Sequence, residues 1–446
     1  MAIHPSSGGC VVSLWLQRLV KVEPQEIRAL LWSFSYFFAL LCAYYIVRPM
    51  RDEMGIAGGV EQLQWLFTGT FLVMLAAVPL FGWVTSRFSR QRFLPLVYGF
   101  FIATLLIFFV LFRSGLTQVW VARAFFIWAS VFNLFIVSVF WSFMADLFDD
   151  AQAKRLFGFI AAGGTAGALA GPALTASLAI PLGPTNLLLI SCAALGWAML
   201  CIRRLSAWKD SLVPGPPGNG QGSTTDPIFD QNAGLGGGAL AGLRLIVRSP
   251  YLLGICLLIL FYTTLSTFLY FQQAQIVRDN FADPAQRTTL FATMDFATNA
   301  LTLFIQFFLT GRIVRALGLG WTLALIPLLL GAGFLVLGMA PVLAVLVTLQ
   351  VVRRAGNYAI MKPGREMLFV VLDRQEKYKA KNIIDTVIYR SGDLVSAWAY
   401  TGLQALGLGL AAIALFAVPL TGLWTWICFR LGRKQEALAK QLEVQP

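Results

Sequence analysis

Twelve runs of roughly 20 apolar residues, separated by short polar gaps, constrain this chain of 446 residues more than any other feature. They lie at 28–50, 62–84, 93–113, 119–146, 156–180, 184–203, 250–276, 288–311, 320–339, 341–362, 383–405 and 408–430. A bilayer core about 30 Å thick is crossed by roughly 20 helical residues, and every backbone polar group inside it must find an internal partner. The runs therefore predict an all-α polytopic membrane protein with twelve transmembrane helices. Hydrophobic residues make up 58% of the chain, charged residues 12%, and the mean hydropathy is +0.73. That balance excludes a disordered chain, a nucleic-acid-binding module and an ordinary cytosolic enzyme. No run reads as a removable signal peptide, because the opening MAIHPSSGG is polar and uncharged and no cleavage site follows. Residues 10–20 are too short to span and are expected as a small interfacial helix or a disordered leader.

The net charge of +13 would suggest a nucleic-acid partner in a soluble protein, but here the basic residues sit in the gaps. Twelve spans place both termini on one side. Gaps on that side hold 25 Lys and Arg, gaps on the other side hold six, and three more lie within runs. Positive residues stay in the cytoplasm, so both termini are expected there. His4 is the only histidine and lies near the start, which argues against histidine catalysis, histidine metal sites and histidine proton relays. Cys10 stands alone and the other cysteines lie in apolar runs, so no disulfide framework or metal site is expected.

Residues 205–240 are rich in Gly, Pro and Ser and are expected as a cytoplasmic linker between an N-terminal bundle, 1–204, and a C-terminal bundle with its tail, 241–446. The halves echo each other. Arg51-Asp52 and Arg278-Asp279 are 227 residues apart, as are Ala153-Lys154 and Ala380-Lys381, and Arg87 and Arg315 differ by 228. Three matches at nearly one spacing favour duplication. Two pseudo-symmetric six-helix bundles with a cytoplasmic linker have the layout of a major facilitator transporter. The stretch Gly82–Arg87, with Arg90 and Arg92, weakly resembles the glycine-plus-basic loop of that superfamily and lacks its aspartate. Gly163, Gly164, Gly167, Gly171 and Pro172 form a small-residue stripe, which suits close helix packing, a sliding contact during alternating access, or both.

An ionised side chain in the bilayer core costs several kcal/mol unless it is paired or wet, so the charges inside the runs carry the most information. Arg353 and Arg354 lie about 18 Å into their run, near the midplane. Adjacent helical residues point about 100° apart, so one partner cannot serve both, and at least one is expected to face a wet cavity. Asp295 lies about 10 Å into its run from the outer side. Arg390 and Asp393 have the i, i+3 spacing of an intrahelical ion pair. Arg48 and Arg51 close the first run, either snorkelling or pairing with Asp52. Lys362 and Glu366 read as a cytoplasmic i, i+4 pair. Arg353 and Arg354 have no acid near them in sequence, and a cavity with surplus guanidinium favours an organic anion, since arginine's planar fork suits phosphate or carboxylate. The candidate substrate-binding residues are Arg48, Arg51, Arg353, Arg354, Arg390, Tyr44, Tyr358 and Asn133. Candidates for coupling or gating are Asp295, Asp393, Lys154, Lys381, Gly163, Gly167 and Gly171.

YYIVRPMRDEMG (44–55), FWSFMADLFDDAQAKRLFGFIAAGG (140–164) and KPGREMLFVVLDRQEKYKAKNIIDTV (362–387) resemble the ATP/ADP translocase family of plastids and intracellular bacteria. The third stretch is the most specific, with Lys-Pro, Arg-Glu-Met and then Lys-x-Lys and Ile-Asp in order. The resemblance implies the major facilitator fold, exchange or import of nucleotides, and residence in a bacterial inner membrane. Carried over position by position, the family's basic residue at the end of helix 1 falls on Arg51 and that in helix 10 near Arg354. Its acidic residue in helix 4 falls near Ala129, beside Ser130 and Asn133, where no carboxylate stands. Its basic residue in helix 11 falls near Asp393, of opposite sign. The resemblance thus implies a divergent relative whose anion need not be ATP or ADP.

The leading expectation is a secondary transporter of an organic anion, working by alternating access, without a cofactor or metal, as a monomer among lipids. The alternative is a proton-coupled carrier of a neutral or hydrophobic solute, with Asp295 and Asp393 as the protonatable groups. A membrane enzyme is disfavoured, because no HExxH, GxSxG or Walker loop occurs. A non-transporting receptor or scaffold is a further reading, separated by substrate-dependent uptake.

Overall fold

The structure is a computed structural model and describes residues 22–24, 26–87, 90–115, 118–212 and 245–444. Every regular element among them is helical. In chain order these are α1 (Ile27–Ala57), a 3-10 turn at Val60–Gln62, α2 (Leu63–Arg87), α3 (Arg90–Ser114), α4 (Gln118–Leu147), α5 (Asp150–Leu182), α6 (Pro184–Leu212), α7 (Pro250–Asn280), α8 (Pro284–Phe308) and α9 (Thr310–Met339). Then come α10 (Leu343–Gly356), a π turn at Asn357–Met361, α11 (Lys362–Leu368), α12 (Arg374–Ile383), a second π turn at Ile384–Ile388, α13 (Tyr389–Ala405) and α14 (Leu410–Val444).

Among the described residues, nine helices are long and apolar enough to cross a membrane. Three of the twelve runs are not among the nine: 62–84, part of whose side chains lie outside the described residues, and 341–362 and 383–405, which π turns divide, leaving α10 with 14 residues and α13 with 17. Residues 205–212 of the expected linker continue α6 as helix. The rest of that linker and the leader at 10–20 lie outside the described residues, as do the side chains of the basic stretch at 82–92.

By contacts the described residues form two compact units. One holds the residues through Arg51 and from Ala76 to Leu212. The other holds Asp52–Leu75 and the residues from 245 onward. The second half thus includes the last turns of α1 and the first half of α2, which the sequence division assigns to the first half.

In the first unit, α5 lies directly on α1. A Cβ built on Gly163, Gly167 or Gly171 would meet the carbonyl oxygen of Phe34, Phe38 or Cys42 at 2.5, 2.2 or 2.7 Å. The glycine stripe is a backbone-to-backbone packing surface, which only residues without a side chain can form. α5 starts with a capping box: Asp149 accepts from the Gln152 amide N–H, and the Gln152 side chain accepts from the Asp149 N–H. Aromatic contacts fill the interior, with Phe37 stacked on Phe140 at 4.0 Å and Tyr36 hydrogen-bonded to Tyr98. At the start of α1, buried Glu26 accepts from the Glu23 N–H, Gln152 and Arg155. Burial works to raise its pKa. The backbone and side-chain hydrogen bonds and the Arg155 charge outweigh burial and hold the carboxyl below its ordinary value.

In the second unit, α9 bends at Gly318, whose φ of 72° suits glycine. The amide of Leu319 freed by that bend donates to Glu436 of α14. Beyond it, the Cα atoms of Gly320 and Gly432 bring α9 and α14 together so closely that a Cβ on Gly432 would lie 2.4 Å from Gly320. Large apolar side chains such as Leu96, Val110, Phe307 and Met339 point outward on both units, the pattern of a chain whose solvent is lipid.

Candidate functional site, an arginine pair before a π turn

The second unit holds the arginine pair. α10 carries Arg353 and Arg354 in its last turn, immediately before the π turn. The local sequence accounts for that turn. Pro363 has no N–H, so the Ala359 carbonyl one turn before it loses its helical donor, and the π turn leaves the Tyr358 carbonyl out of the regular ladder. Those carbonyls are served by side chains instead: Thr310 Oγ1 donates to the Ala359 carbonyl at 2.9 Å, and Gln306 Nε2 to the Tyr358 carbonyl at 3.3 Å. α8 and α9 thereby hold the irregular backbone in place. π turns of this kind re-aim side chains and recur at functional sites.

The two arginines have different partners. Arg354 donates to Asp295 of α8, and both side chains are buried, 11% and 1% exposed. Arg353 donates to Ser266 Oγ of α7 at 2.7 Å and to Gln350 Oε1 at 2.8 and 3.2 Å. Gln350 in turn donates to the Leu269 carbonyl. Among the described residues Arg353 makes no ion pair, although it is 8% exposed. The expectation of two uncompensated arginines is therefore corrected. An acid 59 positions away in sequence neutralises Arg354, and a single guanidinium keeps its charge among neutral groups. Asp295, a coupling or gating candidate and the protonatable group of the alternative reading, is the counter-ion of Arg354.

Around Arg353 stand the phenols of Tyr262, Tyr389 and Tyr358, close enough to act on its charge. Tyr262 and Tyr389 face each other with ring centroids 6.1 Å apart. A shallow depression, open to solvent and with enclosed room for about one water, lies beside Tyr262, lined also by Asn357, Met361, Lys362 and Arg365. Lys362 lies 5.1 Å from the Tyr358 ring, and Glu366 pairs with Lys381 rather than with Lys362. The expected Lys362–Glu366 pair is thus replaced by one from α11 to α12. Arg365 sits 3.0 Å from Asp385 in the second π turn. Arg390 and Asp393 do approach each other, at 3.7 Å.

The remaining candidates lie in the first unit. Arg51 donates to Ser130 Oγ at 3.1 Å and lies 4.0 Å over the Phe126 ring. Arg48 is 5.6 Å from the Tyr45 ring, and Tyr44 rests on Tyr45. Asn133 is half-buried on α4, and Lys154 is exposed on α5. The sequence reading missed Ser266 and Gln350. Their signal was polar character within apolar runs, three residues before Arg353 in the case of Gln350. Among the described residues no group of His, Cys, Asp and Glu could hold a metal ion.

The family model described as Major Facilitator Superfamily matches residues 27–363. The ADP,ATP carrier protein 1 of Chlamydia muridarum is 23% identical, over 89% of this chain and 87% of its own length. The protein of the same name from Chlamydia pneumoniae is 22% identical over 94% of each chain. Among solved structures, a POT family transporter superposes with a TM-score of 0.63 at 12% identity, covering 92% of this chain and 96% of its own. A bacterial homologue of the iron transporter ferroportin, in an inward-facing state, gives 0.60 at 15% identity, covering 92% and 98%. At these identities the structural likeness is one of fold.

Proposed function

Since this chain belongs to the major facilitator superfamily and is a multi-pass membrane transporter, we propose that it is a secondary active carrier of an organic anion, working by alternating access. The observation that carries this reading is Arg353. Its charge is buried, and its hydrogen-bond partners are neutral. A buried guanidinium with neutral partners leaves desolvation uncompensated, and an anion with two acceptor oxygens supplies the missing charge. Arg354 has its own acid and serves to position the π turn and α8. Lys362, against the Tyr358 ring, adds a basic group near the phenols that act on Arg353. Kinship with proteins named as ADP,ATP carriers puts nucleotides first among the anions to test. We further propose twelve spans, both termini in the cytoplasm, and a bacterial inner membrane. In that topology α10, the first π turn and α11 together form one span, and the second π turn and α13 form another.

The test is uptake into vesicles carrying the purified full chain. Labelled ATP, ADP and smaller organophosphates are expected to enter and to compete with one another, and R353Q to abolish uptake. Movement of neutral or cationic solutes alone would overturn the anion assignment. A proton-coupled carrier of neutral solutes is the second reading, in which the Arg354–Asp295 pair opens when Asp295 takes up a proton. In that case D295N removes pH-driven uptake, and organophosphates neither enter nor compete.

A further inference from the structure

A second buried ion pair lies in the same unit, outside the arginine site. Glu53 stands one turn before the end of α1, and its side chain is fully buried. Arg287 of α8 is 11% exposed, and its Nε lies 2.8 Å from Glu53 Oε2. That contact is Coulombic without hydrogen-bond alignment. Neither oxygen of Glu53 receives a hydrogen bond, and Arg287 Nε donates none. The nearby acids differ. Asp52 accepts from the Tyr270 phenol at 3.1 Å. Glu61 is exposed and hydrogen-bonded to Arg278.

An ionised carboxylate that is buried and receives no hydrogen bond keeps most of its desolvation penalty, which protonation removes. Arg287 opposes protonation. Asp283, at the start of α8, favours it by adding a second negative charge. The other charged groups of the surrounding elements are engaged: Arg278 of α7 with Glu61 and Asp279, Asp52 with Tyr270, and Arg51 with Ser130. Arg287 is thus the group that holds Glu53 ionised against burial and Asp283.

We propose that Glu53 is a proton-binding site and the coupling group of the transporter. A proton adds to a carboxylate oxygen when Arg287 moves away and leaves when Arg287 returns. No other bond forms or breaks. The coupling role rests on the transport reading above, whereas proton binding by Glu53 does not, and the experiment reads proton binding directly.

The experiment is pH-difference infrared spectroscopy of the purified full chain in vesicles, across roughly pH 4 to 9, where a buried carboxyl titrates. The wild type is expected to show a protonated-carboxyl C=O band that E53Q lacks. R287Q, which removes the counter-ion, is expected to move the midpoint of that band to higher pH by about tenfold or more in proton affinity. A band that persists in E53Q, or a wild type without such a band, overturns the proposal. If E53Q does not fold, a midpoint unmoved by R287Q overturns it equally. These outcomes are independent of which solute, if any, the vesicles take up.

Discussion

Arg354 and Asp295, 59 positions apart in sequence, form a buried ion pair joining α10 to α8, while Arg353, one position away, is held only by neutral groups. Two adjacent residues of one type therefore do different work. One is matched within the fold, and the other is left with charge to offer. This contrast makes the two arginines separable by substitution.

Loss of Asp295 strands a buried guanidinium. D295A is expected to destabilise the protein by about 3–5 kcal/mol. The double variant D295A/R354M is expected to recover much of the loss, because no charge is left unmatched. Thermal unfolding in detergent measures both. Equal midpoints for single and double variants would show that the pair carries no such burden.

Arg353 behaves in the opposite way. R353Q removes a buried charge that the fold does not neutralise, so its unfolding midpoint is expected to stay near that of the wild type. Binding of an organophosphate such as ATP is expected to weaken roughly tenfold to a hundredfold, the value of a hydrogen bond to a charged group. Ligand-induced thermal shifts read both quantities on one sample. A large drop in midpoint with unchanged binding would make Arg353 structural.

The π turn has its own dependence. T310V removes the hydroxyl that serves the Ala359 carbonyl, an acceptor stripped of its helical donor by Pro363. The cost is expected to be about 1–3 kcal/mol, that of an unsatisfied buried acceptor. T310S, which keeps the hydroxyl, is expected to lose far less. The two variants are compared by their unfolding midpoints.

Glu26 gives a stability that depends on pH. Its carboxyl is held below the ordinary carboxylate value in the folded state. The unfolded state therefore binds the proton more readily, and the stabilisation is present above the ordinary value near 4.3 and lost as pH falls through the lower folded value. E26Q is expected to flatten the acid limb of a plot of unfolding midpoint against pH. An acid limb identical to that of the wild type would assign the effect to other groups.

Much of the helical layout was legible because apolar run length is a strong signal in a lipid solvent. The run at 119–146 and α4 (Gln118–Leu147) agree within one residue. Helix ends were less legible. α1 continues to Ala57, seven residues past its run, because helix formation does not stop where hydropathy does. The first π turn had a visible cause in Pro363, but the second, at Ile384–Ile388, follows no proline or glycine and left no mark. The site was half legible. Arg353 and Arg354 stood out as charges in an apolar run. Their partners did not, since Asp295 and Ser266 come from other helices and sequence spacing carries no record of such contacts. Glu53 stands beside Asp52 near a helix end, and only its depth in the fold sets it apart.

The contact between α5 and α1 leaves no layer of side chains between the two backbones. Helices separated by leucines can shear past one another by switching rotamers. These two have nothing to switch, because the carbonyls of Phe34, Phe38 and Cys42 press directly against the glycines. Any displacement of α5 must therefore carry the inner length of α1 with it, the two moving as a single beam.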